Sequence, residues 1–230
     1  MKKFLIGIMV SVLPTSIFAI GGLGLSVNSS TFSVDAGSSD LMVEGIKVGS
    51  FSYDGFENGF GLGGYLYLDI IPVVDLDIEY NITGNEYNFI FENAVTTSET
   101  QKFVFAAGSM FITIQKSVFD LGIPFLAKAK LYGGLGMNTN VSTPMVNQEM
   151  LESVFGGASN LENGAYDYEA VTKYLTDEAV ETSGFHIDAG IFFKVLTFSG
   201  SVYYRQVMAD GAIPGNKGFG SMNFRIGLGI

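Results

Sequence analysis

Between Val74 and Tyr80 the chain places carboxylates at Asp75, Asp77 and Glu79, with Val74, Leu76, Ile78 and Tyr80 alternating between them. A period of two belongs to an extended strand, so the acids share one face and the apolar residues the other. Asp69 precedes them across a turn at Pro72, and Lys128, Lys130, Asp188, Lys194, Arg205 and Arg225 hold the polar positions of other alternating runs. Such groups can interlock as ion pairs, line an ion path, or set up a carboxylate pair for acid–base work. Acids and bases balance on these faces, and buried charges are normally paired, which favours an interlocked network. A metal at Asp75 and Asp77 would need more oxygen ligands, and the lysines make ion pairs the simpler reading. His186, the single histidine, follows Ser183 without a carboxylate orienter or oxyanion motif, and reads as a polar side chain near the outer rim. The pairs Gly63–Gly64 and Gly133–Gly134 read as bends in a strand wall, since no helix start follows them. No catalytic residue, cofactor or metal site is expected.

Strands must position these residues. Gly61 to Asn81 reads as a hairpin, with Leu62, Leu66, Leu68 and Ile70 forming one apolar row before Pro72 and Val74 to Ile82 another after it. Further alternating runs begin near Leu23, Lys102, Phe125, Phe185, Leu196 and Phe219. In the run from Lys102 to Lys116 the apolar parity changes from Phe103 and Phe105 to Met110, Ile112 and Ile114, which predicts a bulge near Ala106, Ala107 and Gly108. Asp35 to Glu57 and Glu86 to Glu99 read as loops. Short turns at Pro72, Asp120 and Val195 alternate with longer connections after Val34, Phe89, Val141 and Met208. The expected fold is all-β: an antiparallel up-and-down transmembrane β-barrel of about eight strands, charges inward, with one long, partly helical extracellular loop. Phe51, Tyr53, Phe60, Tyr87, Phe89, Phe103, Phe185 and Phe219 lie toward the long-loop end, where an aromatic girdle is expected. A soluble lipocalin-like barrel with apolar rows inward is the other all-β reading. The balanced charges of the polar face argue against it.

The chain has 230 residues, no cysteine and a net charge of -11. The acidic balance argues against a nucleic-acid partner, which needs clustered Lys and Arg. Met1 to Ala19 carries two lysines, a short apolar run and a small residue at its end, the pattern of a secretory signal peptide. Residues 20–230 then form one barrel domain in the bacterial outer membrane. Within it, the 141–183 connection is too long to lack structure of its own. Thr143 and Pro144 suit a helix start and Gly156 an end, and a second helix is expected from Asp167 to Val180. Met150, Val154, Tyr168 and Tyr174 would anchor these helices as a lid over the mouth.

With its strand grammar and its terminal run MNFRIGLGI, the chain resembles the small outer-membrane protein barrels of the A and X type, and more loosely their W-type relatives. It differs at the last residue, Ile230, where that class usually ends in Phe. The resemblance is architectural, and relatives of this shape include adhesins, envelope anchors, small conduits and a few lipid-modifying enzymes. It implies outer-membrane lipids, lipopolysaccharide and the barrel-assembly machinery as partners, with an extracellular ligand or small solute as a further candidate. The expected role is a non-enzymatic barrel acting in surface contact or envelope structure through its acidic loops. A narrow conduit gated by the 141–183 loop is the alternative.

Overall fold

The computed structural model describes residues 21–71, 74–93, 97, 100–123, 126–155 and 168–229. The expected signal peptide, Pro72, Gly156 and Ile230 lie outside the described residues. The strands are β1 (Gly21–Val34), β2 (Gly37–Val43), β3 (Ile46–Tyr53), β4 (Phe56–Ile71), β5 (Val74–Asn93), β6 (Gln101–Ile123), β7 (Ala127–Ser142), β8 (Val180–Val195), β9 (Phe198–Met208) and β10 (Phe219–Gly229). Two helices, α1 (Gln148–Phe155) and α2 (Tyr168–Asp177), fall between β7 and β8.

Eight of the strands close a ring in the order β1, β4, β5, β6, β7, β8, β9, β10, every pair antiparallel, with β10 back on β1. Register proves the closure. From Gly21 the pairing runs through Leu68, Leu76, Ile114, Leu135, Ile187, Gln206 and Gly220 and returns to β1 at Thr31, an offset of 31 − 21 = 10 residues. That stagger requires the strands to tilt steeply, and eight strands so tilted leave an interior that side chains can just fill. Over the stretches where every strand is paired on both sides no sheet edge remains among the described residues, so backbone polar groups there are satisfied without water, as hydrocarbon demands.

Each wall is apolar outside. Leu23, Leu25, Leu62, Tyr80, Ile112, Ile114, Leu135, Ile187, Ile191, Phe224 and Ile226 are exposed, while Ser26, Asn28, Asp77, Glu79, Thr113, Asp188, Arg205 and Arg225 are buried inside. A soluble protein does the reverse. An exposed apolar band around a closed ring of tilted strands is the lipid-facing surface of a transmembrane barrel.

Toward the extracellular end this polarity inverts within single strands. On β5 the outward row is apolar from Val74 to Ile82 and then turns polar at Glu86 and Asn88, while the inward row changes from Asp75, Asp77 and Glu79 through Asn81 to Tyr87, Phe89 and Phe91. β1 does likewise, with Leu23 and Leu25 outward below, and Phe32 and Val34 inward above. Above about Gly84 the protein therefore has left the membrane and has a water-facing exterior around an apolar core. This corrects three expectations. First, there is no bulge at Ala106 to Gly108: β6 pairs with β5 without interruption from Gln101 to Gln115, and its register shift lies between Ser117 and Phe119. Its apolar parity changes because Phe103 and Phe105 face the extracellular core whereas Met110, Ile112 and Ile114 face lipid. Second, most of the expected girdle is not on the lipid face. Phe51, Tyr53, Tyr87, Phe89, Phe103 and Phe219 turn inward into or against that core, and only Phe60 and Phe185 are exposed outside. Third, Glu86 to Asn93 is strand rather than loop, and residues 37–53 of the expected first loop form the hairpin of β2 and β3, which adds to the outer end of β5 from Tyr53↔Phe89 to Gly49↔Asn93. Its two-residue turn sits at Glu44 and Gly45, both with positive φ (50° and 80°), the conformation that a tight hairpin turn requires.

Ile112 lies between Met110 and Ile114 near the middle of the lipid band, so Ile112→Arg should weaken insertion by about 2–4 kcal/mol. Leu68→Arg, close to the periplasmic end, should cost about 0–1 kcal/mol. Refolding into lipid vesicles against urea, followed by heat-modifiable gel migration, measures both. Equal behaviour of the two variants would contradict the placement of the band.

Candidate functional site: a charged lumen under a capped mouth

The inward positions of the strands stack in layers. At the centre, Arg205 of β9 donates from Nε and Nη2 to both oxygens of Asp188 on β8, at 2.9 and 2.8 Å, and from Nη1 to Oε2 of Glu79 on β5 at 2.8 Å. Arg225 of β10 makes a second fork on Asp77, at 2.6 and 2.9 Å, and also pairs with Glu79. The Tyr203 hydroxyl donates to Glu79 at 2.5 Å and the Asn81 amide donates to its other oxygen at 3.1 Å. In a ring of eight strands β5 and β9 are four places apart, so the Arg205–Glu79 pair spans the lumen between opposite walls. Both side chains are fully buried. The guanidinium planes are covered by rings: Arg205 lies 3.9 Å from the centroid of Phe111, and Arg225 lies 4.6 and 4.7 Å from Tyr203 and Tyr65. Arginine suits these places because it is delocalised, forked and less hydrated than lysine.

Above this cluster is an uncharged polar layer. Ser26 donates to Asn81 at 2.8 Å, Asn140 donates to Asn138 at 2.8 Å, and His186 Nε2 is 2.8 Å from the Thr113 hydroxyl. His186 is thus a buried lumen side chain, not a rim residue, and Ser183 on the same strand faces outward, so the two form no catalytic pair. Gly63 is required here for space rather than for a bend: a Cβ would lie 2.0 Å from the Asn81 side-chain oxygen. Below the cluster, Lys130 bonds Asp75 at 2.7 Å and lies 3.6 Å from Asp69, and Lys128 lies 3.7 Å from Asp69. Of the ten charged residues predicted to meet in the lumen, the structure brings nine into these contacts. Lys194 points to the periplasmic end and has no ion pair among the described residues.

Two small cavities bracket the cluster. One of about 20 Å³ lies below, against Asp77, Lys130, Tyr132 and Arg225, and one of about 10 Å³ lies above, against Ser30, Asn140 and Ile213. About 10–15 Å³ is what one water needs, so each has room for little more than one. Between them stand the paired side chains of the cluster.

Toward the extracellular end the interior is packed with apolar side chains. Phe32, Phe56, Tyr87, Phe89, Phe91 and Phe105 form one cluster with Val146, Met150, Tyr174 and Ile213. Phe56 stacks on Tyr87, with ring centroids 5.6 Å apart. Met150 and Tyr174, two of the expected lid anchors, are buried there. Val154 and Tyr168 lie on α1 and α2, their side chains outside the described residues. Helix α1 begins at Gln148 rather than at Thr143: the Asn147 side chain accepts from the Met150 N–H at 2.8 Å as the cap, while Thr143 extends the β7 edge, its hydroxyl accepting from the Ala106 N–H at 3.0 Å. The Tyr174 hydroxyl donates to the same Asn147 oxygen at 3.0 Å, and the Val146 N–H donates to the Tyr87 hydroxyl at 3.2 Å, which ties the helices to β5. Burial pushes the Tyr87 and Tyr174 hydroxyls up from their ordinary pKa, so both remain donors or acceptors without charge.

The ring of eight tilted strands, the apolar belt and the polar lumen are those of a small outer-membrane β-barrel. Among solved structures, the chain is similar to Ail, the attachment invasion locus protein of Yersinia pestis in complex with the heparin analogue sucrose octasulfate (12% identity, 91% of this chain and 97% of that one, TM-score 0.41). It is also similar to the N-terminal β-barrel domain of Pseudomonas aeruginosa OprF (10%, 91% and 99%, TM-score 0.43) and to the outer membrane protein OprG of the same organism (9%, 92% and 93%, TM-score 0.45). No protein-family description and no curated protein matches the chain.

Removing Arg205 leaves Glu79 and Asp188 buried with too few partners, so Arg205→Met should destabilise the barrel by about 3–5 kcal/mol. Lys47→Met breaks the Lys47–Asp40 pair, whose side chains are both 55% exposed, and should cost about 0–1 kcal/mol. Urea unfolding in detergent reads both, and similar midpoints would show that the lumen pairs are not a structural network.

Proposed function

We propose that the protein is a non-enzymatic, non-conducting barrel of the bacterial outer membrane that presents a rigid acidic platform for contact at the cell surface. The observation that carries this reading is the Arg205–Glu79–Arg225 cluster, which fills the lumen from wall to wall and would have to be dismantled for any solute to pass. Opening it exposes several buried charges to one another's loss, a cost of several kcal/mol per ion. This cost weighs against the conduit reading.

The platform has a definite chemistry. Asp35, Asp40, Glu44, Asp54, Glu57, Glu86, Glu92, Glu149, Asp177, Glu178, Glu181 and Asp210 are exposed toward the extracellular end, against Lys47, Lys102, Lys173 and Lys217. Three of those lysines already pair with carboxylates, at Asp40, Glu86 and Asp177. The surplus suits a basic partner, or divalent cations bridging to anionic lipopolysaccharide, and the apolar cap beneath holds it in a fixed shape. Electrostatic contact of this kind weakens with salt, because exposed charges are screened within about 8 Å at physiological ionic strength.

In planar bilayers the protein should give no steady conductance, and replacing residues 144–178 with a short Gly/Ser linker should leave it silent, because the central cluster lies below the removed cap. Vesicles carrying the parent should bind a basic surface in low salt and release it in high salt, and the linker variant should bind less. Steady conductance in the parent would decide for the conduit.

A further inference from the structure

At the periplasmic end the barrel wall is uneven. β6 runs to Ile123, whereas its pairing with β5 stops at Asp75↔Gln115. Among the described residues, the 117–123 segment has a partner on its β7 side only. The hairpin of β6 and β7 thus projects below the rim with one open edge, and the lumen behind it opens sideways as well as downward. Unpaired strand edges do not persist in hydrocarbon, so this opening belongs at head-group level, where polar groups are available.

Behind the opening is a vestibule of about 440 Å³. Lys128 and Lys194, direct register partners on β7 and β8, both point into it, and Asp120 lines the side nearest the open edge. Like charges placed directly opposite on neighbouring strands destabilise a sheet unless something lies between them. Lys130 is already taken by Asp75, Lys128 lies 3.7 Å from Asp69 and within electrostatic reach of Asp120, and Lys194 has no ion pair among the described residues. The lip is apolar, formed by Leu121, Leu126 and Leu196, all exposed and continuous with the outer belt.

We propose that this vestibule holds the head group of one phospholipid of the periplasmic leaflet, its phosphate between Lys194 and Lys128 and its ammonium group on Asp120. Two cations and one carboxylate facing the same space match a zwitterion that carries a primary amine beside its phosphate better than they match a simple anion. The side opening admits the head group from the leaflet, and the exposed leucines of the lip receive its acyl chains. The phosphate relieves the Lys128–Lys194 opposition and can accept from backbone N–H groups of the open edge.

The test uses the full chain in nanodiscs containing equal fractions of a phosphoethanolamine lipid and a phosphoglycerol lipid with the same acyl chains, followed by native mass spectrometry. One retained lipid per barrel is expected, with the phosphoethanolamine form favoured about tenfold, the scale of one charge-assisted hydrogen bond. Lys194→Ala and Lys128→Ala should lower retention by about the same factor. Lys194→Arg should keep it, Asp120→Asn should remove the preference between the two lipids, and Lys173→Ala on the extracellular face should change nothing. Each variant is first checked for folded, heat-modifiable migration. A parent that retains both lipids equally or favours phosphoglycerol overturns the proposal, as does a folded Lys194→Ala barrel that retains lipid like the parent.

Discussion

The structure depends on one electrostatic constraint: charged groups buried in the middle of a bilayer must find their partners within the protein. Neither water nor lipid tails can solvate Asp77, Glu79, Asp188, Arg205 and Arg225 where they stand. Their geometry answers this with two guanidiniums, forked on Asp188 and Asp77, that both also donate to Glu79, which accepts the Tyr203 hydroxyl as well. Much else follows from it. The strands must be staggered so that β8, β9 and β10 bring their polar residues level with those of β5, Gly63 on β4 must leave room for Asn81, and the aromatic rings must cover the guanidinium faces.

The second organising fact is that solvent changes along the length of a strand. In the membrane a residue facing outward meets hydrocarbon, and a few residues further along the same row meets water. β5 obeys both regimes in turn, which is why it needs 20 residues when about 9–11 would cross the bilayer. Its outer third is built like a soluble protein, with rings packed inside and Glu86, Asn88 and Glu92 outside, and it serves as the floor on which β2, β3 and the two helices assemble.

The membrane part was legible in the sequence because alternation there has a single sense: Val74, Leu76 and Ile78 against Asp75, Asp77 and Glu79 fix both the strand and its facing. The same rule misleads past Gly84. Tyr87, Phe89 and Phe91 alternate as regularly as the residues before them, but on the opposite parity, so that stretch resembles a loop, and the similar change on β6 resembles a bulge. The Glu44–Gly45 turn between Val43 and Ile46 was a hairpin signal that the long first connection obscured. That Lys128, Lys130 and Lys194 face the lumen also follows from parity. Which of them finds a carboxylate does not, because that depends on the stagger of ten residues accumulated around the ring, a quantity no single strand contains.

The reach of the Arg225–Asp77 fork across 148 positions of sequence bears on how the barrel is made. Arg225 sits on the last strand, and its partner sits on the third strand of the ring, so neither can be satisfied until β10 has docked against β1. A barrel with its seam open would leave both charges without these partners, and closing the seam supplies them together. Closure of the seam thus completes the Arg225 ion pairs together with the final ladder of backbone hydrogen bonds.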